Sequence, residues 1–196
     1  MQTLVPTSAE RGRTTRELLL NAAAELIPEC GWGAVTTRMV AQRAGVNPGL
    51  VHYHFSSVPD LLTEAVLRVA RLAVGEPTRM LAEAPDVGTG VDLLLGALDP
   101  YTGTDPASLL LTEGLLASTR HEPLRAELAV LLGDFRERVA DWLRALGHPD
   151  ADQSAVLLAA VIDGLLLHRA IDPALDLAAM AGVLRRMLTG GAAGAA

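Results

Sequence analysis

His52, Tyr53 and His54 stand together, with Thr37, Arg38 and the run Asn47-Pro48-Gly49-Leu50 a short way ahead of them. They combine hydrogen-bond donors and acceptors with one fixed positive charge, a set suited to phosphate oxygens and base edges. Catalysis and metal binding need other arrangements. His52 and His54 are two apart, so on a helix they diverge and cannot grip one metal ion; His121, His148 and His168 are isolated along the chain. No HExxH, phosphate-binding glycine loop, GxGxxG after a strand or nucleophile elbow is present. No catalytic residue, metal ligand or cofactor is assigned, and the chain is not read as an enzyme.

The stretch that must position these side chains runs from Thr36 to Phe55. A threonine pair, Thr36-Thr37, can cap a first helix that meets no breaker up to Ala44. Gly45 ends it, because glycine takes the left-handed conformation of a C′ residue without steric cost. Asn47-Pro48 then restarts a helix with a cap followed by proline at the first helical position. Val40, Ala41, Ala44, Val46, Val51 and Phe55 are expected to close a small core between the two helices, which leaves Asn47 to Leu50 and His52 to His54 outward. Two short helices joined by a tight glycine turn occur in many all-α proteins, so the spacing alone does not single out DNA binding.

In detail the stretch resembles the DNA-binding domain of the TetR family of bacterial transcriptional regulators. The matching residues are Thr37, Val40-Ala41, Ala44-Gly45-Val46, His52-Tyr53-His54-Phe55 and Leu61-Leu62, and the resemblance spans about Arg13 to Ala70. It implies that Thr37 and Arg38 contact backbone or base edges, that Asn47, Pro48, Gly49 and Leu50 meet bases, and that His52, Tyr53 and His54 flank a phosphate. Two positions depart from the family, which usually carries tyrosine at His52 and lysine at Val58. The missing lysine removes one charge-assisted phosphate contact, so weaker or less salt-dependent binding is expected.

Half of the 196 residues are hydrophobic, enough for one extended or two small cores. The single cysteine, Cys30, excludes an intramolecular disulfide and fits a reducing cytoplasm; its spacing with Leu19, Ala22, Ala23, Leu26 and Ile27 places it on an apolar, packed face. No signal sequence and no uninterrupted apolar run of membrane-crossing length is read, so no membrane partner is expected. The net charge of −7 divides unevenly: residues 1–58 hold five arginines against four glutamates, a balance of +1, and the remainder carries −8. That asymmetry fits a DNA-reading head on a body that does not touch DNA.

The expected fold is all-α with about nine helices. Residues 13–58 are read as an N-terminal three-helix bundle containing the helix-turn-helix at 36–55, residues 59–189 as a larger helical effector-binding and dimerisation domain, and residues 1–12 and 190–196 as disordered tails. A first helix runs from Thr14 or Thr15 to Cys30, with Trp32 plugging the base of the small domain. A linking helix begins after Ser56-Ser57, and Gly75 and Pro77 are expected to break or kink it before a short piece at Thr78 to Ala84. Pro85 to Gly90 is read as a loop, followed by helices at Val91–Leu98 and Ser108–Arg120.

Longer helices are expected at 123–146 and 151–170, and a last one at Pro173–Leu188. The segment Ala155–Leu167 is apolar at every position except Asp163 and Gly164, so it needs cover on all sides. The pair 123–146 and 151–170 is therefore read as a homodimer surface forming a four-helix bundle, with Leu128, Leu132, Phe135, Val139, Val156, Ala160, Gly164 and Leu167 at the contact. A central helix in a monomer is the alternative. Asp163 is expected to find a partner such as an arginine or a backbone amide.

The resemblance implies a repressor bound as a homodimer to a palindromic double-stranded DNA operator and released by a small-molecule effector. That effector, apolar or amphipathic, would enter between the linking helix and the dimer helices; no pocket residue is named. A helical ligand-binding or scaffold dimer that has lost DNA affinity is the other reading.

Overall fold

Local capping chemistry sets most of the helix boundaries. The computed structural model describes residues 8–190, and among them it contains nine α-helices, one 3-10 turn and no strand. The tails read as disordered lie outside the described residues at 1–7 and 191–196. Ser8 to Gly12, read as part of the disordered arm, belong instead to the first helix, α1 (Ser8–Cys30), because nothing in that run interrupts a helical backbone.

Cys30 departs from its expected packing. The helix ends at Gly31 (φ 81°), so Cys30 sits on the last turn beyond the reach of the core, exposed, with its thiol donating to the Leu26 carbonyl at 3.1 Å. Trp32 opens the 3-10 turn (Trp32–Ala34) and packs against the core formed by Leu19, Ala23, Ile27, Val40 and Val51.

Helix α2 (Thr37–Ala44) begins where the Thr36 hydroxyl accepts the Met39 N–H at 3.3 Å. It ends in a left-handed Gly45 (φ 68°), with the Gly45 N–H bonded to Gln42 O and the Val46 N–H to Ala41 O, the double bond of a Schellman motif. Asn47 then caps α3 (Pro48–His54), its side-chain oxygen accepting the Gly49 N–H at 2.9 Å. Val40, Ala41, Val51 and Phe55 are buried as the spacing required, and Ala44 and Val46 pack at their edge.

The linking helix α4 (Val58–Leu81) is capped by Ser57 and continues unbroken through Gly75 and Pro77. The expected break fails for a tertiary reason. Proline removes one ladder bond, but Thr78 and Leu81 beyond it are buried, and the Thr78 hydroxyl donates to the Val74 carbonyl. The next helix also starts earlier than read: α5 (Val87–Gly96) is capped by Asp86, which accepts the Thr89 N–H at 2.8 Å. Position 90 inside it is held to glycine, because a Cβ there would stand 2.1 Å from Cζ2 of Trp142. That indole in turn donates to the Ala84 carbonyl at 3.2 Å.

Helices α6 (Pro106–Ser118), α7 (Glu122–Ala145) and α8 (Ala151–Ile171) follow. The last helix, α9 (Leu177–Gly190), starts four residues later than expected. Asp172 accepts the Ala174 N–H and turns the chain at Pro173, and only Asp176 supplies the cap, to the Ala179 N–H at 3.1 Å.

Two cores result. The first joins α1, α2 and α3 to Leu61, Leu62, Ala65 and Val66 of α4, Leu110 of α6 and Leu124 of α7. The second gathers Leu81, Leu94, Leu95, Val139, Leu143, Leu158 and Leu184. Helix α4 is common to both. By length and composition α8 could cross a bilayer; here its Ala151, Ala155, Leu158 and Ala159 are part of the second core.

Candidate nucleic-acid interface and ligand cavity

Ion pairs link the helices of the head around its apolar core. Arg16 of α1 reaches Glu64 of α4 at 2.5 Å, and its guanidinium carbon lies 4.8 Å from the centre of the Phe55 ring. Arg43 of α2 grips Glu29 at 2.6 Å and Glu25 at 3.1 Å on α1; the hydrogen bond from Arg43 holds the Glu29 carboxyl below its ordinary range. Arg68 of α4 reaches Glu17 at 2.9 Å. These arginines brace α1 against α2 and α4.

The residues assigned to DNA contact lie together on α2, the turn and α3. Arg38, Asn47, Pro48, Gly49, Leu50, His52 and Tyr53 are exposed, while Thr37 and His54 are half-buried. Tyr53 is 79% exposed and meets the His54 ring edge-on, with centroids 5.0 Å apart. His54 points less outward than expected, because α1 begins early enough to bring Gly12 beside its Cε1. Arg38 makes no ion pair among the described residues, unlike Arg16 and Arg43. Val58, where the family carries lysine, packs against the first core.

The dimer assignments separate. Phe135 is 7% exposed and Val139 is 0% exposed within the single chain, so both belong to its own interior and have no surface to give a partner. Leu128 and Leu132 are half-buried and line a cavity described below. Val156, Ala160 and Leu167 are exposed and Gly164 is half-buried; with Leu157 and Ile171, and with exposed Asp163 at the edge where Leu167 also lines the cavity, they form one stripe of α8, opposite the buried Ala155, Leu158 and Ala159. Helix α7 shows solvent Glu127, Asp134, Glu137, Arg138 and Asp141 around a single exposed Val130, a mostly charged face, whereas α9 shows Val183 and Met187 beside Arg186.

A cavity of about 210 Å³ lies between α4, α5, α6, α7 and α8. Val66, Ala70, Val74 and Pro77 of α4 form one wall; Leu111 and Leu115 of α6, and Leu128, Leu132 and Phe135 of α7, form others. Its polar members are Tyr101, Ser108, Thr112 and Asp163. The spacing of α7 showed that positions 128, 132 and 135 needed cover; it could not show that part of that cover was empty space.

The floor of the cavity rests on a tied loop. Burial pushes the Asp105 carboxyl up, but hydrogen bonds from Ser108 and Thr102 outweigh it and hold the group at about 2. Arg169 of α8 donates to the Leu98 carbonyl at 2.7 Å, and Gly103 (φ 86°) crosses so close to α8 that a Cβ would stand 2.3 Å from the Ala170 nitrogen. Burial raises the Tyr101 phenol, and the charge of Asp105 adds to that shift.

Comparison with known proteins agrees with this geometry. Residues 19–65 match the model of the bacterial regulatory proteins, tetR family, and residues 85–190 match that of the tetracyclin repressor-like C-terminal domain. An HTH-type transcriptional regulator of Mycobacterium tuberculosis is 26% identical over 175 residues, covering 85% of this chain and 88% of the relative. A transcriptional regulator of Streptomyces coelicolor has a TM-score of 0.72 at 28% identity, covering 90% of this chain and 99% of that one. A regulator of Saccharomonospora viridis, solved in complex with choline, has a TM-score of 0.73 at 24% identity, covering 90% and 96%. With a capped helix-turn-helix at one end and a helical body carrying a cavity at the other, the chain belongs to the TetR family of DNA-binding bacterial transcriptional regulators.

Proposed function

We propose that the protein is a homodimeric repressor whose two heads hold a palindromic operator and let go when a small apolar or amphipathic molecule fills the cavity. In this reading residues 13–58 read DNA and residues 59–189 bind effector and partner. The observation that carries it is the position of Val66, which belongs to the core of the head and also lines the cavity. A ligand pressing on α4 there is one packed layer from the helix-turn-helix. Such a ligand shifts the equilibrium only through its difference in affinity for the two head spacings, and DNA must disfavour it to the same degree.

The exposed stripe of α8, from Val156 to Ile171, together with Val183 and Met187 of α9, supports a symmetric four-helix seam. This revises the expected pairing of 123–146 with 151–170, since the outer face of α7 is charged. Two heads so joined would enter successive major grooves about 34–36 Å apart, or a multiple of that. The Saccharomonospora viridis neighbour, with its bound choline, supports a body of this fold holding a small molecule.

Gel-shift or anisotropy titrations against fragments upstream of the gene, across salt concentrations, test the reading. One fragment is expected to bind preferentially, and Arg38→Ala with Tyr53→Ala to abolish the shift while the protein stays dimeric. Equal binding to every fragment would defeat it. The second reading, a scaffold without DNA affinity, draws on Val58, which fills core space where a phosphate-binding charge would otherwise stand; it requires both substitutions to change nothing.

A further inference from the structure

The wall of the cavity carries a single formal charge. Of the residues that line it, Asp163 alone is ionisable near neutral pH, and no arginine or histidine joins it. The chain has no lysine anywhere. Asp163 was expected to need an internal partner, and among the described residues it makes no hydrogen bond or ion pair.

Asp163 is exposed at the rim of the cavity, and the charge of Arg136 of α7 opposes the upward push that partial burial gives its carboxyl. Arg136 is not part of the lining, and its Nε is buried without a hydrogen-bond partner. Phe135 and Tyr101 present aromatic rings to the same space. The charge of Asp105 also acts on Tyr101, adding to the upward shift of its phenol.

Each class of head group meets this wall differently. A carboxylate or phosphate would lose its water and find no positive partner, a loss that apolar contact from a small ligand cannot offset. A neutral alcohol could use Ser108, Thr112 or Tyr101. An ammonium would gain the Asp163 carboxylate, in a lining that also holds the aromatic side chains of Phe135 and Tyr101.

Resting on the reading of this cavity as the effector site, we infer that the effector is a small amphiphile with a cationic head at Asp163 and an apolar body among the leucines of α6 and α7. At about 210 Å³ the space is below the 300–1,000 Å³ usual for drug-sized ligands, so the molecule is small or its tail leaves through the mouth.

Three eight-carbon probes test this on the full-length protein at submicellar concentrations: octyltrimethylammonium, 1-octanol and octanoate, each followed by isothermal titration calorimetry. The ammonium is expected to bind saturably, one per chain and at least tenfold tighter than octanol, with octanoate weakest. Asp163→Asn should erase the preference for ammonium over octanol and leave octanol unchanged. Octanoate binding as well as the ammonium, or a preference that survives Asp163→Asn, overturns the inference, and the three-probe series in the unaltered protein decides even if that variant fails to fold. Saturable octanol binding with no gain from the charge also overturns it but leaves the effector cavity standing. If none of the three binds, the cavity reading falls and this inference falls with it.

Discussion

The Glu113 carboxylate of α6 accepts the backbone N–H of Trp32 at 3.0 Å, tying the body to the turn that follows α1. The neighbouring Gly114 presses on α4 so closely that a Cβ would stand 2.6 Å from Cγ1 of Val66. The cavity is lined from the same helix by Leu111, Thr112 and Leu115. Any displacement of α6 therefore acts on the head at two points.

Removing the first of these points has a measurable effect. Glu113→Ala should lower unfolding stability by about 1–2 kcal/mol, at the low end for a hydrogen bond to a charged group because the site is only partly buried. The Trp32 amide should exchange faster with solvent while amides of α8 and α9 keep their rates. Urea denaturation and hydrogen-exchange mass spectrometry check both, and an unchanged Trp32 rate would remove Glu113 from the coupling route.

Val58→Lys should restore a phosphate contact to each head. Val58 is only partly buried, so a lysine stem can lie along the core while its ammonium reaches solvent. Affinity for the operator should rise, and the slope of log K against log salt should steepen by about 0.9 per added contact. A titration at several salt concentrations reads this directly.

Ala160→Arg places a charge in the middle of the exposed stripe of α8 and should split the dimer, since each copy would set the charge against its like. Light scattering should then give the mass of one chain. Phe135→Ala should behave differently, leaving the dimer intact and costing about 3–5 kcal/mol of stability, because Phe135 is inside its own chain.

Gly90→Ala should destabilise by at least about 1–3 kcal/mol. The added methyl would overlap Cζ2 and Cη2 of Trp142 at 2.1 and 2.3 Å, and that ring is fixed by its bond to Ala84. Thermal melting and tryptophan fluorescence would both register the displaced indole.

Asp105 predicts an acid limit. Its folded pKa of about 2 is below the ordinary 3.8, so its contribution is fully present above about pH 4 and is lost as pH falls toward 2. Asp105→Ala should cost about 0.5–2 kcal/mol at neutral pH, as for loss of a helix cap, and should remove this part of the acid dependence. Urea midpoints between pH 2 and 6 for the two proteins give the comparison.

What the chain disclosed on its own was the chemistry carried within a few residues. Thr36, Gly45, Asn47 and Pro48 act on their immediate neighbours, so α2, the turn and α3 were legible almost to the residue. The course of α4 through Pro77 was not, because burial of Thr78 and Leu81 by distant helices outweighs a local penalty. Gly90 read as part of a loop for the same reason, since the tryptophan that demands it is far along the chain. Apolar periodicity on α7 and α8 located faces needing cover but left three kinds of cover indistinguishable: the chain's own core at Phe135 and Val139, the cavity at Leu128 and Leu132, and open surface at Val156 and Ala160.

The bracing of the head also bears on how such a protein searches a chromosome. With Arg16, Arg43 and Arg68 committed to glutamates, Arg38 is the arginine of α2 and α3 left without an ion pair among the described residues to hold arbitrary sequence by its phosphates. A head so braced is expected to leave arbitrary sequence quickly, so that discrimination rests on the bases met by one brief helix.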